Sequence, residues 1–259
     1  MTESSPTLAL RGVSKRFGAV QALYRVDFDV RSGEVLALVG DNGAGKSTLI
    51  KGVAGIHAFD EGEVQFEGRP VTIHGPRDAA ALGIEVVYQD LALADNLDVV
   101  ANMYLGRELA PRIVLDEPAM EGACRSTLDS LSVTSLRSVR QAVAGLSGGQ
   151  RQAVAVAKAV MWNSKVVILD EPTAALGVAQ TQQVLELVKR LSEQGLAVVI
   201  ISHNLHDIFE VADRITVLRL GRNVAVYDRR TTTQQEVVHA ITAGVPTKVA
   251  GISTDPQAP

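Results

Sequence analysis

Cysteine is almost missing from this chain: among 259 residues there is one, Cys124. A lone thiol excludes an internal disulfide and a metal cluster of several thiolates, and its plain reading is a small side chain taken into the interior. Long apolar runs are missing too. The longest, such as LAVVIIS at 196–202, fall well short of the ~20 residues that cross a bilayer, so no stretch spans a membrane by itself. There is no basic block either. The 25 Lys and Arg are mixed among 29 Asp and Glu for a net charge of −4, which argues against a nucleic-acid partner. The first residues, MTESSPTLAL, lack the charged start and apolar core of a signal peptide, so the expected location is the cytoplasm.

What is present is enough apolar material for a large core, 46% of residues, compatible with one α/β domain carrying a subdomain. The runs VLALV (35–39), VVILD (166–170), AVVII (197–201) and ITVLRL (215–220) read as strands. Nearly unbroken apolar strands belong to a parallel sheet covered on both faces. Val184, Leu187, Val188 and Leu191 recur at helical spacing over 178–194, and Gly195 supplies the stop. Leu205, Ile208, Phe209 and Ala212 repeat the pattern over 205–212. The stretch EGEVQFEGRPVTI, with two turn signals around short alternating segments, predicts an antiparallel hairpin beside the main sheet. From about 91 to 145 helical composition takes over, which marks a candidate helical subdomain within a domain spanning 1–244. Residues 245–259, rich in Pro, Ser, Thr and Gly without apolar period, read as a disordered tail.

The strongest chemical signal is GDNGAGKS. Gly40, Asp41, Asn42, Gly43, Ala44 and Gly45 follow the strand VLALV, and Lys46, Ser47 and Thr48 open a helical run. Strand, glycine loop and helix in this order form a phosphate cradle: backbone N–H groups turn inward, and the helix start adds its positive end. Lys46 would reach the outer phosphates of ATP, and the Ser47 hydroxyl would sit on Mg²⁺. Such a site also needs a carboxylate for the metal and a group to polarise water. Asp170 and Glu171, where the run VVILD ends, suit those two tasks.

Asp-Glu-Pro occurs twice, however, at 116–118 and at 170–172. The first copy follows only Ile113-Val114-Leu115, which Ala-Pro-Arg precedes, and proline sits badly in a central strand. Asp116 there makes a good helix N-cap, with Pro118 in the first turn, where its missing N–H is harmless. The first copy is thus read as a cap and the second as the metal and water site.

LSGGQ at 146–150, opening another helical run, completes a set with the loop at 40–47 and the carboxylates 20 residues on. This set resembles the ATP-binding-cassette (ABC) family over about residues 8–225. The resemblance implies an α/β P-loop NTPase with a mostly parallel core sheet, an antiparallel β subdomain and a helical subdomain. It also implies that two cassettes pack head to tail, so that Ser147, Gly148, Gly149 and Gln150 contact ATP held by the other. Gln89 in VYQD is similar to the glutamine that touches metal or water and senses the membrane partner. His203 in IISHN is similar to the histidine that holds the γ-phosphate, and Phe17 in SKRFGAV to the aromatic residue that stacks on adenine. His57, His74, His206 and His239 have no such context.

One position departs from the pattern: after DEPTAAL most of the family has Asp, and here Gly177 stands. Ribose- and galactose-type sugar importers often depart at the same place. NMYLGRE at 102–108, VAKAV at 156–160 and IFEVADRITVLRLGR at 208–222 also resemble that monosaccharide subfamily. The resemblance therefore implies an ATPase subunit, peripheral at the cytoplasmic face of the cell membrane, working with permease subunits and indirectly with a solute-binding protein. It further implies a homodimer or pairing with another cassette. A cassette for amino acids or another solute stays open, as does a soluble ABC ATPase of DNA repair or ribosomes, although the coiled coil or basic linker of those classes is missing. The sugar itself is not written in this chain.

Overall fold

The computed structural model describes residues 5–110 and 114–244. Ile113 of the first Asp-Glu-Pro run and the segment 245–259 lie outside them. Among the described residues the strands are β1 (Leu8–Phe17), β2 (Val20–Val30), β3 (Val35–Val39), β4 (Glu61–Phe66), β5 (Arg69–Val71), β6 (Ile84–Val87), β7 (Val166–Asp170), β8 (Ala197–Ile201), β9 (Arg214–Arg219) and β10 (Arg222–Asp228). The helices are α1 (Lys46–Val53), α2 (Pro76–Ala81), α3 (Val99–Tyr104), α4 (Glu117–Ser130), α5 (Gly148–Val160), α6 (Val178–Glu193), α7 (Leu205–Val211) and α8 (Gln234–Ala243).

Six strands form one sheet in the order β10-β9-β3-β8-β7-β6, parallel except for the antiparallel β9–β10 edge. The period of two along a strand explains why the central strands are apolar at every position. Leu36 and Leu38 of β3, Val166 and Ile168 of β7, and Val199 of β8 point to one face. There they meet Leu49, Ile50 and Val53 of α1 and Leu10, Val26 and Phe28 of the first two strands. Ala37 and Val39, Val167 and Leu169, and Val198 and Ile200 point to the other face, against Val154 of α5, Leu185 and Val188 of α6 and Ile208 of α7.

The hairpin expected at 61–73 is present: β4 and β5 pair antiparallel, with Val64 opposite Val71. It belongs to a four-stranded antiparallel sheet, β2-β1-β4-β5, whose long first hairpin the sequence did not announce. The helix expected over 178–194 runs Val178–Glu193, with Gln194 as C-cap and Gly195 in the left-handed region at φ +88°. The expected 205–212 helix ends at Val211. Between 91 and 145 the described residues hold α3, α4 and a single 3₁₀ turn at Val143–Gly145, and a bridge between Asp98 and Ala142 ties the segment's ends. Cys124 is buried on α4, and burial, aided by the charge of Asp98, pushes its thiol up to about 12. That suits an inert packing residue.

Candidate functional site

In an open parallel sheet the loops at the carboxyl ends of the strands line up along one edge. Register brings the candidate residues to that edge. Leu38 lies opposite Ile201, Ile201 opposite Asp170, and Leu169 opposite Val87. The chain therefore leaves β3 at Gly40, β7 at Glu171, β8 at Ser202-His203 and β6 at Tyr88-Gln89, four neighbouring exits from four neighbouring strands.

The loop after β3 needs glycine for steric reasons. At Gly40, φ is +152° and a Cβ would lie 2.2 Å from the Leu218 carbonyl oxygen on β9. At Gly45, the N-cap of α1, φ is +103° and a Cβ would lie 2.7 Å from Leu23 Cδ2. The Lys46 ammonium donates to the carbonyl oxygens of Gly40 (2.6 Å) and Asp41 (3.1 Å), curling over the loop. Asn42 through Thr48 line a cleft of ≈ 330 Å³ together with Val20, Gln21 and Ala22 of β2. Phe17 ends β1 at the hairpin turn leading to Val20. The residue is 48% exposed, and its ring meets that of His57 edge-on, centroids 5.3 Å apart. His57, which sequence context left unassigned, is thus the wall behind Phe17, and its ring in turn meets Phe59 at 6.3 Å.

Asp170 and Glu171 put two adjacent carboxylates at this edge. Burial, then the neighbouring Glu171 charge, raises the Asp170 pKa, with Lys46 and Lys51 working the other way. Burial lowers the Lys46 pKa, with Glu171, Asp170 and Asp41 opposing. Tyr88 is raised by burial and by the Asp170 charge, which places the residue before Gln89 within the field of that carboxylate. Glu171 adopts φ +51°, unusual for a residue with a side chain, and its N–H donates to Ile201 O at 2.9 Å, extending the β7–β8 ladder by one step. Its carboxylate oxygen Oε2 lies 2.8 Å from His203 Nδ1. The imidazole is 81% exposed, so this contact orients a ring that otherwise faces solvent.

The two loops that carry these side chains are joined by a polar contact that sequence reasoning missed. Asp207 of α7 accepts from Thr173 Oγ1 at 2.7 Å and from Asn204 Nδ2 at 2.8 Å. An acidic residue in an amphipathic helix reads as solvent-facing in a sequence; only its burial reveals otherwise.

Ser147 to Gln150 occupy a different neighbourhood. Ser147 caps α5 in a reciprocal box: its Oγ accepts from Gln150 N–H at 3.3 Å, and its own N–H donates to Gln150 Oε1 at 2.9 Å. Gln150 Nε2 donates to Ser135 O at 2.6 Å. A Cβ on Gly148 would press on Leu176 and one on Gly149 on Gln180, so these glycines let α5 start close beside Leu176 and the first turn of α6.

The first Asp-Glu-Pro is a cap, as its context implied. Asp116 accepts from Ala119 N–H at 3.1 Å, and Glu117 pairs with Arg140 at 3.1 Å on the surface.

Comparison with known proteins places this fold in a family. The family profile described as ABC transporter matches residues 23–174. The chain is 49% identical over 244 residues to the fructose import ATP-binding protein FrcA of Rhizobium meliloti, covering 92% of this chain and 94% of that protein. It is 46% identical over 239 residues to the xylose/arabinose import ATP-binding protein XylG of Sulfolobus acidocaldarius, covering 92% and 95%. Among solved structures, an ATP-binding cassette of an ABC transporter in its ADP conformation superposes with a TM-score of 0.78 at 27% identity, covering 92% of this chain and 95% of that one.

Proposed function

Since the chain belongs to the ABC transporter family as an ATP-hydrolysing cassette, we propose that it powers the import of a monosaccharide through a separate membrane permease. The fructose and xylose/arabinose import functions of its relatives support the substrate class. The observation that carries the catalytic reading is the shared edge on which the phosphate loop, Asp170, Glu171 and His203 meet, with His203 on the Glu171 carboxylate at 2.8 Å.

In this reading Phe17 stacks on adenine. The backbone N–H groups of residues 40–45 and the start of α1 hold the phosphates, and Lys46 swings from its two carbonyl partners onto the outer ones. Ser47, Gln89 and Asp170 would hold Mg²⁺. The donor set fits: Asp170 and Glu171 are adjacent carboxylates, and burial and mutual repulsion raise the Asp170 pKa, which a cation relieves. When bound, the ion neutralises charge on the phosphate oxygens. Glu171 polarises the attacking water. His203, with Nδ1 engaged by Glu171, turns Nε2 to the γ-phosphate. Ser147, Gly148, Gly149 and Gln150 contact the nucleotide of a second cassette, either another copy of this chain or a different one.

No helix among the described residues is long and apolar enough to cross a membrane. The cassette then works docked at the cytoplasmic face of the membrane, on permease subunits that receive solute from a binding protein. Residues 91–145, read as the helical subdomain, belong to this docked unit. The test is gentle purification of the tagged chain from its own membranes. A permease and a sugar-binding protein should accompany it, and the latter should bind fructose, xylose or a related sugar. Recovery with ribosomal or repair proteins instead would overturn the transport role and leave the ATP chemistry.

A further inference from the structure

Asp207 is 2% exposed, and a carboxylate is almost never buried so fully without partners. Its two oxygens have different ones: Oδ2 accepts from Thr173 of the loop after β7, and Oδ1 from Asn204 of the loop after β8. These two loops carry Glu171 and His203. An acidic residue three places past an N-cap ordinarily accepts from the N-cap backbone N–H. Here that N–H, of Asn204, donates to Ser202 Oγ at 3.0 Å, while Asn204 Oδ1 caps the helix on His206 N–H at 3.0 Å. Asp207 is left to join α7 to the neighbouring loop.

That loop needs an anchor. Glu171 and Ala175 both lie in the left-handed region, at φ +51° and +60°. Residues with side chains stay there only when their surroundings over-determine the conformation. Thr173 sits midway between them, buried, with its hydroxyl on Asp207.

We infer that Asp207 is a positioning residue for hydrolysis. It fixes the spacing of the 171–175 and 202–204 loops, so that the Glu171 carboxylate and the His203 ring stay in register with the phosphate loop. It acts through Thr173 and Asn204 and touches no nucleotide. The inference rests on the roles of Glu171 and His203 proposed above.

The test uses the full chain, with ATP hydrolysis and fluorescent-nucleotide titration measured on each variant. Thr173→Val keeps the shape and removes the hydroxyl. It should lower kcat by about tenfold to a hundredfold, the scale of a small misplacement of a reacting group, with nucleotide affinity unchanged within about twofold. Thr173→Ser, which restores the hydroxyl, should recover most of the rate. Asp207→Asn should fall between, because its amide can accept from Asn204 and donate to Thr173. Wild-type kcat in Thr173→Val, or equal losses of kcat, affinity and melting temperature without rescue by serine, would overturn the inference. Glu171→Gln, run beside them, separates the two readings. Turnover retained there defeats the role of Glu171 itself, whereas turnover lost there but kept in Thr173→Val defeats only the anchor.

Discussion

The same three residues, Asp-Glu-Pro, stand at 116–118 and at 170–172, and the molecule uses them for different ends. At the first, Asp116 caps α4 at once and Glu117 is surface-exposed beside Arg140. At the second, the strand β7 runs straight into Asp170, and the following helix starts only at Val178, with Gly177 as an N-cap that offers no side chain. The seven residues between Asp170 and α6 leave the Asp170 carboxylate free of capping duty. This interval also bends Glu171 into a conformation that aims its carboxylate at His203. What separates a cap from a candidate reaction centre is therefore where the helix begins, not the tripeptide.

The sharpest way to break that contrast is a pair of isosteric changes. Glu171→Gln should lower ATP turnover by about a hundredfold or more, the range for loss of a positioned general base, while Glu117→Gln should leave phosphate release within about twofold of wild type. Equal losses would erase the distinction.

Next comes a trade at Asp170. Its raised pKa means that the folded protein holds this proton to higher pH than the unfolded chain does. Ionising it therefore works against folding. That penalty is absent below the ordinary value of 3.8 and grows to its full size as pH rises through the raised folded value. Asp170→Asn should abolish turnover yet raise the melting temperature at neutral pH, and the gap should close as pH falls toward 3.8. A variant that melts lower than wild type at neutral pH would refute the sign.

Smaller effects are expected at the two helix starts. Asp116→Ala should cost about 1 kcal/mol of stability, a drop of roughly 2–4 °C in Tm for a chain of this size, with ATP turnover untouched. Gly177→Asp, which gives α6 the cap that α4 has, should add only a few tenths of a kcal/mol, since a Cβ there meets nothing within 4 Å. Calorimetry of both variants would measure the difference.

Much of this was readable before any coordinates. Strands β3, β7, β8 and β9 declare themselves because both faces are covered, so each is an apolar run that a turn signal ends. The phosphate loop is legible because steric demand at Gly40 and Gly45 admits little else. The long β1–β2 hairpin was not legible, and its register says why. Irregularities fall between Leu10 and Val13, Val13 and Lys15, and Lys15 and Arg16, and each breaks the alternation by which a strand is recognised. Strand β6 has only four residues, too few for any period. Within the site, Asp207 escaped notice and His57 was left without a role, because what each does comes from burial and neighbours distant in sequence: Asp207 meets Thr173 34 residues away, and His57 meets the Phe17 ring.

The strand order has a consequence for how the chain is made. Strand β3, which launches the phosphate loop, bonds on one side to β8 and on the other to β9. Both are synthesised more than 150 residues later. As the polypeptide leaves the ribosome, the loop at 40–47 emerges early on an apolar strand that has no sheet to join, and it waits until residue 197 and beyond have followed. Such long-range pairing is slow and leaves apolar segments open to wrong partners in the meantime. The nucleotide cradle, although encoded near the beginning, gains its sheet neighbours only from strands encoded near the end.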